Sequence, residues 1–126
     1  MVRSKGKGKE LVNMFLRTME ARDLNTARTF LAPGFMMVFP GDKRMDSLEE
    51  MVDWSRTRYR NVTKTFEDFD EFERGDRTIV YCFGLLNGLA LDGRRIQNVR
   101  FIDRFVIKDD KLIEQKVWND LSDFLN

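Results

Sequence analysis

In the first part of the chain, apolar residues recur at helical spacing. Over residues 10–22 they fall three and four positions apart, which predicts an amphipathic helix. Asp23 stands where a helix N-cap belongs, so a short second helix is expected after it. Pro33 and Gly34 are predicted to end that second helix, because proline removes a backbone donor.

A strand and a third helix are predicted next. Residues 35–39 are an apolar run closed by Pro40, which is typical of a short buried strand. Ser47 and Glu50 have the spacing of a capping box and open the third helix. Tyr59 falls on the apolar side of that helix if it continues so far.

After residue 61 the apolar period changes from 3.6 to 2, which indicates strands. An acidic stretch with three phenylalanines comes first, and turns are expected at Asp92-Gly93 and at residues 108–111. The predicted strands that follow the acidic stretch span residues 78–91, 96–108 and 112–121. Helices followed by antiparallel hairpins predict an α+β fold with helices on one face of a curved sheet.

The strand at residues 78–91 is apolar on both of its faces. One face carries large side chains and the other small ones, including Cys82 and Gly84. A sheet that covers helices with one face leaves the second face open to water. We therefore predict a homodimer through the sheet face, in which the small residues permit close approach.

The length and the net charge of the chain limit the kinds of protein that it can be. The chain has 126 residues, which suits one domain, and its 22 Lys and Arg against 21 Asp and Glu give a net charge of +1. Binding to nucleic acid or to an anionic membrane is not expected from so balanced a charge. Residues 1–9 are predicted to be a flexible basic tail, and residues 10–126 the domain. With no signal peptide or membrane span recognisable in the sequence, a cytoplasmic protein is expected.

The scarcity of His and Cys restricts the catalytic chemistry available to the chain. The chain has no His and a single Cys, Cys82. Ser/His and Cys/His nucleophilic machinery and clustered metal ligands are therefore not expected. Acid–base chemistry would fall to carboxylates, Tyr, Lys or this Cys, and no metal or cofactor is predicted.

Four segments, in this order and spacing, resemble the SnoaL-like and ketosteroid-isomerase-like branch of the nuclear transport factor 2-like superfamily. They are residues 22–24 (RDL), 39–41 (FPG), 101–105 (FIDRF) and 117–121 (VWNDL). The resemblance covers residues 10–122. It implies a conical half-barrel, a curved mixed but mostly antiparallel sheet wrapped around three N-terminal helices. It also implies a mostly apolar pocket in the cone and, often, a dimer through the sheet.

Comparison with the ketosteroid isomerases can be made residue by residue. Those enzymes use a Tyr on the first helix, an Asp base on the short strand and a protonated Asp on a late strand. Asp103 matches the late Asp, whereas the other two positions fall on Phe15 and Phe39, which can neither donate nor abstract a proton. The ketosteroid isomerase mechanism is therefore not expected.

Strand parity then predicts the interior of the cone. If Asp103 points inward, the alternate residues of its strand do so too, and matching the last strand adds Gln115 and Asn119 as polar groups. Trp54 and Tyr59, on the third helix, are expected near the mouth. The predicted walls are Phe15, Phe39, Tyr81, Phe101 and Phe105.

Asp103 is the expected catalytic residue, since a carboxyl among phenylalanines can serve as a general acid or base. Three functions remain open. The first is a cofactor-free isomerase, cyclase or dehydratase acting on an apolar ring or keto substrate. The second is a non-catalytic protein that binds an apolar or aromatic ligand. The third is a dimeric interaction module whose cone is filled by its own Phe side chains, and a structure with no cavity near Asp103 would favour that class.

Overall fold

A six-stranded sheet forms the body of the molecule in the computed structural model, which describes residues 6–125. In chain order the elements are α1 (Lys7–Glu20), α2 (Leu24–Arg28), β1 (Leu31–Phe39), β2 (Lys43–Met45), α3 (Leu48–Ser55), β3 (Tyr59–Arg74), β4 (Arg77–Ala90), β5 (Arg95–Lys108), β6 (Lys111–Asn119) and α4 (Leu121–Leu125). The strand order is β2-β1-β6-β5-β4-β3. Only β1 and β6 pair in parallel among these strands. The α+β class and the curved mixed sheet over N-terminal helices are confirmed.

The concave face of the sheet is closed by an apolar core. Phe15 on α1 makes edge-to-face contacts with Phe35 and Phe105, each with ring centroids 6.0 Å apart. Phe105 has no exposed surface. Aromatic pairs of this geometry add about 0.5–1.5 kcal/mol to the free energy gained by burial alone. One end of the cone is therefore filled by its own side chains.

Two glycines let the edge strand β3 fold over β4. A Cβ atom at Gly84 would lie 2.0 Å from the Thr65 carbonyl oxygen, and one at Gly88 would lie 2.1 Å from the Asn61 oxygen. Both positions adjoin β-bulges of β3, which bend a strand sharply. The small residues of β4 therefore face the inside of the cone, and our prediction that they allow close approach in a dimer was wrong.

The helix caps follow the predicted chemistry. The Asp23 carboxylate accepts a hydrogen bond from the Thr26 amide, and the Ser47 hydroxyl oxygen accepts one from the Glu50 amide. The carboxylate of Glu50 reaches back to the Asp46 amide. Together these bonds satisfy amides at the starts of α2 and α3 that have no partner within the helix.

Several predicted boundaries were wrong. The Leu112 amide donates to the Phe30 carbonyl oxygen and draws the chain into the sheet, so α2 ends at Arg28. Pro33 and Gly34 therefore lie within β1, where the pairing with β6 is irregular. Neither β2 nor α4 was predicted, because each is too short for its period to show.

Two further boundaries concern the ends of helices. Helix α3 stops at Ser55, and Tyr59 begins β3 instead of continuing the helix. Helix α1 begins at Lys7, within the predicted tail, and the Lys9 amide is anchored by the Glu71 carboxylate. Residues 1–5 of that tail lie outside the described residues. In the described part of the chain, no helix is both long and apolar enough to cross a membrane.

Candidate functional site

A carboxylate lies at the centre of the concave face. Asp103 of β5 stands between Cys82 of β4 and Val117 of β6, and its side chain is fully buried. One oxygen, Oδ2, lies 3.7 Å from the Lys64 ammonium and accepts a long hydrogen bond of 3.5 Å from the Gln115 amide. The other oxygen, Oδ1, has no hydrogen-bond partner among the described residues. The carboxylate is thus held loosely in an apolar interior.

The backbone of Lys64 is hydrogen-bonded to side chains of helix α1. Its amide donates to the Glu20 carboxylate at 2.7 Å, and its carbonyl oxygen accepts from the Arg17 guanidinium at 2.9 Å. The side chain points into the cone, with Nζ 5.3 Å from the centroid of the Phe101 ring. With 18% of its side chain exposed, Lys64 lies between the solvent and the fully buried Asp103.

Burial and charge act in opposite directions on this pair. Burial raises the pKa of Asp103 above its usual range, and the Lys64 ammonium and the Gln115 hydrogen bond offset part of that rise. Burial acts to lower the pKa of Lys64, but the attraction of Asp103, with smaller contributions from Tyr59, Cys82 and Glu20, outweighs it and raises that pKa. The pair therefore combines a carboxylate that takes up protons readily with a cation that keeps its own.

The Cys82 thiol adds no charge beside the Lys64–Asp103 pair. Burial and the nearby Asp103 carboxylate both raise the pKa of its thiol well above the usual range. The thiol therefore stays neutral and unreactive beside the pair.

Most of the predicted interior residues lie on the inner face. Phe101, Phe105 and Gln115 are buried there, as strand parity predicted, and Phe15 of α1 is buried against Phe105. Asn119 is half-buried at the end of β6, and its side-chain oxygen accepts a hydrogen bond from the Leu121 amide. That oxygen is therefore already occupied at the start of α4.

An aromatic group lies between α3 and β1. The rings of Phe39 and Trp54 pack edge to face with centroids 5.2 Å apart, and the Arg58 guanidinium lies 4.8 Å from the Trp54 ring centroid. Tyr59 is half-buried at the start of β3 and contributes to the electrostatics of Lys64. Among these residues of the described chain, Tyr59 is the one that interacts with the buried pair, through Lys64.

Tyr81 does not belong to the interior. It is paired with Arg104 in the sheet, whereas its neighbour Cys82 is paired with the inward-facing Asp103. Because consecutive strand residues point to opposite faces, Tyr81 lies on the outer face. The prediction that it forms a wall of the cone was wrong.

Lys64 was not predicted from the sequence as a residue of the site. It stands between Val62 and Phe66, and these three alternate positions share the inward face of β3. A lone lysine in register with two apolar residues was the signal available, but its partner lies two strands away, across β4. Strand pairing is needed to bring the cation to Asp103.

The outer face of the sheet carries an exposed apolar row. Phe83, Ile102 and Trp118 are paired in register across β4, β5 and β6, and the last two are 45% and 52% exposed. Ion pairs flank this row, one joining Arg100 to Asp120 at 2.9 Å. We call these three residues the outer row. Large exposed side chains aligned in this way are typical of an interaction surface.

Three pockets on the described surface lie away from the carboxylate. A pocket of about 330 Å³ adjoins the outer row, and two others of about 410 and 520 Å³ lie near α4 and α2. None of these three is lined by Asp103 or Lys64. Among residues 6–125, no group of three or more Cys, Asp and Glu is placed to hold a metal ion.

The fold has close counterparts among solved structures. An NTF2-like protein of unknown function from Burkholderia pseudomallei K96243 superimposes with a TM-score of 0.72 at 16% identity, covering 94% of each chain. A protein from Jannaschia sp. CCS1 named as a SnoaL-like polyketide cyclase gives 0.71 at 18% identity, covering 98% of this chain and 94% of that one. The CaMKII hub of S. rosetta gives 0.73 at 18% identity, covering 94% and 99%.

In sequence, no protein-family model and no curated protein matches the chain. The likeness is therefore carried by the order and geometry of the elements. The chain has the nuclear transport factor 2-like fold that its sequence predicts, with a SnoaL-like protein among its structural neighbours.

Proposed function

We propose that the cone binds a small apolar or aromatic ligand and that Asp103 exchanges a proton with it, without a cofactor. The observation that carries this proposal is the buried Oδ1 oxygen of Asp103, which has no partner among the described residues. An unpartnered oxygen of this kind costs about 1–3 kcal/mol in desolvation, and more when charged. An apolar side chain would fill the position without that cost, so a functional reason for the carboxylate is favoured.

The surroundings suit a ring compound. The Phe66 and Phe101 rings pack edge to face, with centroids 6.1 Å apart, on either side of Gly84 and offer aromatic surface close to the carboxylate. A ligand entering beside Lys64 would meet aromatic surface first and Asp103 behind it. Apolar walls with a few polar groups are the usual composition of small-molecule sites.

The reaction that fits is removal of a proton from the carbon next to a ring carbonyl. Asp103 would take that proton as general base and return it elsewhere on the ring, as an isomerase or cyclase requires. The name of the Jannaschia protein, a SnoaL-like polyketide cyclase, is consistent with chemistry of this kind on the same fold.

Deuterium exchange of 2-tetralone, an enolisable ring ketone, tests the proposal directly. The protein in D₂O should accelerate exchange at the carbon next to the carbonyl, followed by proton NMR, and Asp103→Asn should lose about 10²–10⁴-fold of that acceleration. Asp76→Asn is the matched control, because Asp76 is an exposed aspartate paired with Lys108 at 3.4 Å. Binding by calorimetry without exchange would leave a non-catalytic ligand-binding protein. Absence of both would contradict the proposal.

A second candidate function is supported by the outer row. We propose that this face joins two copies of the chain, so that the protein acts as a dimeric interaction module. The exposed Ile102 and Trp118 carry this alternative, and the CaMKII hub has the same fold. Sedimentation velocity should give a dimer that Trp118→Glu converts to monomer, and a monomeric wild-type protein would overturn it.

A further inference from the structure

We propose that the Lys64 ammonium binds an oxyanion of the ligand, and that the site selects neutral acids, namely enols and phenols, over carboxylates. The inference rests on the proposed ligand-binding function of the cone and names the class of ligand. It assigns to Lys64 the role of a binding residue.

The geometry of the pair leaves hydrogen-bonding capacity unused on both partners. The 3.7 Å between Lys64 Nζ and Asp103 Oδ2 exceeds the roughly 2.7–2.9 Å of a direct charged hydrogen bond. An ammonium has three donors, and a carboxylate accepts at both oxygens. Asp103 Oδ1 is unpartnered among the described residues. A ligand hydroxyl that reached Asp103 Oδ1 would donate to that oxygen, and its own oxygen would accept from the Lys64 ammonium.

Charge balance selects the class of ligand. When a neutral enol or phenol enters, its O–H bond breaks, Asp103 Oδ1 takes the proton, and the oxyanion pairs with Lys64. The site carries one positive and one negative charge before and after this transfer. A carboxylate that arrives ionised would instead add a second negative charge to an apolar interior, which is costly.

The other charged groups around Lys64 already have partners. Glu20 of α1 binds the Lys64 amide and lies 2.8 Å from the Arg17 guanidinium. Arg17 itself stacks 4.7 Å from the Phe66 ring and donates to the Lys64 carbonyl oxygen. The Cys82 thiol of β4 and the Tyr59 phenol of β3 carry no positive charge. Lys64 is thus the cation that the described part of the cone offers to an oxyanion beside Asp103.

Binding of 4-nitrophenol tests this role, because its phenol and phenolate forms absorb at different wavelengths. At a pH below the pKa of the free probe, the wild-type protein should bind it as phenolate. Lys64→Met should bind it as phenol, with affinity lower by about ten- to a hundredfold. Asp103→Asn should bind phenolate more tightly than wild type above that pKa, because Lys64 then has no competing carboxylate. The opposite signs of the two variants separate this role from a structural one.

Three controls make the outcome decisive. 4-Nitroanisole has no acidic proton and should bind wild type and Lys64→Met equally, which also verifies the fold of the variant. 4-Nitrobenzoate should bind wild type more weakly than 4-nitrophenol. Lys64→Met/Asp103→Asn has no buried charge and replaces the single variant if that one does not fold.

Different results would contradict the role of Lys64 and the proposed function of the cone. Binding of 4-nitrophenol in its phenol form by wild type, equal affinity in Lys64→Met, or equal affinity for 4-nitrobenzoate would overturn the inference and leave the proposed function intact. Failure of both 4-nitrophenol and 4-nitroanisole to bind would overturn the proposed function itself.

Discussion

The two faces of one strand reverse the usual distribution of polarity. On β5 the carboxylate of Asp103 is fully buried, whereas the adjacent Ile102 is 45% exposed on the other side of the sheet. The inner face holds a loosely bonded ion pair in an apolar interior, and the outer face holds an apolar row in contact with solvent.

The two faces differ in which side chains stabilise the fold and which ones point to a function. The apolar end of the cone, around Phe15 and Phe105, contributes to stability through ordinary burial. Folded proteins usually bury apolar side chains and expose charged ones. A buried charge and an exposed apolar row are therefore each informative about function. In our proposals the inner face binds a ligand and the outer face binds a protein partner.

The largest expected effect comes from removing the cation on the inner face. Lys64→Met leaves Asp103 buried without a counter-charge and should lower the free energy of unfolding by about 3–5 kcal/mol at neutral pH. Urea denaturation measures this loss. Lys108→Met breaks the surface pair with Asp76 and should cost less than about 1 kcal/mol. Equal losses in the two variants would contradict the distinction between the buried pair and a surface pair.

A smaller loss is expected when the bend of β3 is disturbed. Gly84→Ala places a Cβ atom 2.0 Å from the backbone oxygen of Thr65, so the two strands must separate. Overpacking of this kind costs about 1–3 kcal/mol. Urea denaturation should record that loss and calorimetry a weakened ligand affinity, since Phe66 and Phe101 flank this glycine. Unchanged stability would mean that the cone does not depend on the bend.

The stability of the protein should also depend on pH through Asp103. The pKa of Asp103 is raised by burial in the folded protein, so the folded state holds this proton more tightly than the unfolded chain does. The free energy of unfolding should therefore fall as pH rises from the ordinary carboxyl range to the raised pKa. The fall is about 1.4 kcal/mol for each unit of elevation. Urea titrations across pH should show it in wild type and in Asp76→Asn, but not in Asp103→Asn.

The smallest effect on stability is expected on the outer face. Trp118→Glu removes a side chain that is 52% exposed, so the free energy of unfolding of the isolated subunit should change by less than about 0.5 kcal/mol. Denaturation at a concentration where the protein is monomeric measures this. A loss comparable with that of Lys64→Met would show that the outer row is part of the fold.

Much of the fold could be predicted from the sequence, because local patterns determine it. The helix caps at Asp23 and Ser47, the hairpin turns and the inward parity of Asp103 all depend on spacing within a few residues. The SnoaL-like resemblance supplied the order of the elements, and the structural neighbours confirm the fold.

The remainder depends on contacts between distant residues. Lys64 meets Asp103 only after β3 folds over β4, so no local pattern announces the pair. Tyr81 was placed on the wrong face because β4 is apolar on both sides, and alternation alone does not say which face is inside. The glycines of β4 resolve that question once their contacts with β3 are known.

The most direct test is the titration of the Asp103 carboxyl carbon by NMR, with Asp103→Asn as the assignment control. Burial, which the neighbouring Lys64 ammonium only partly offsets, predicts a pKa above the ordinary aspartate value in the free protein. Addition of 4-nitrophenol should then protonate Asp103 at a pH where the free protein carries the carboxylate. A pKa at or below the ordinary value, unmoved by the probe, would identify a tightly paired structural carboxylate and contradict its role in proton transfer.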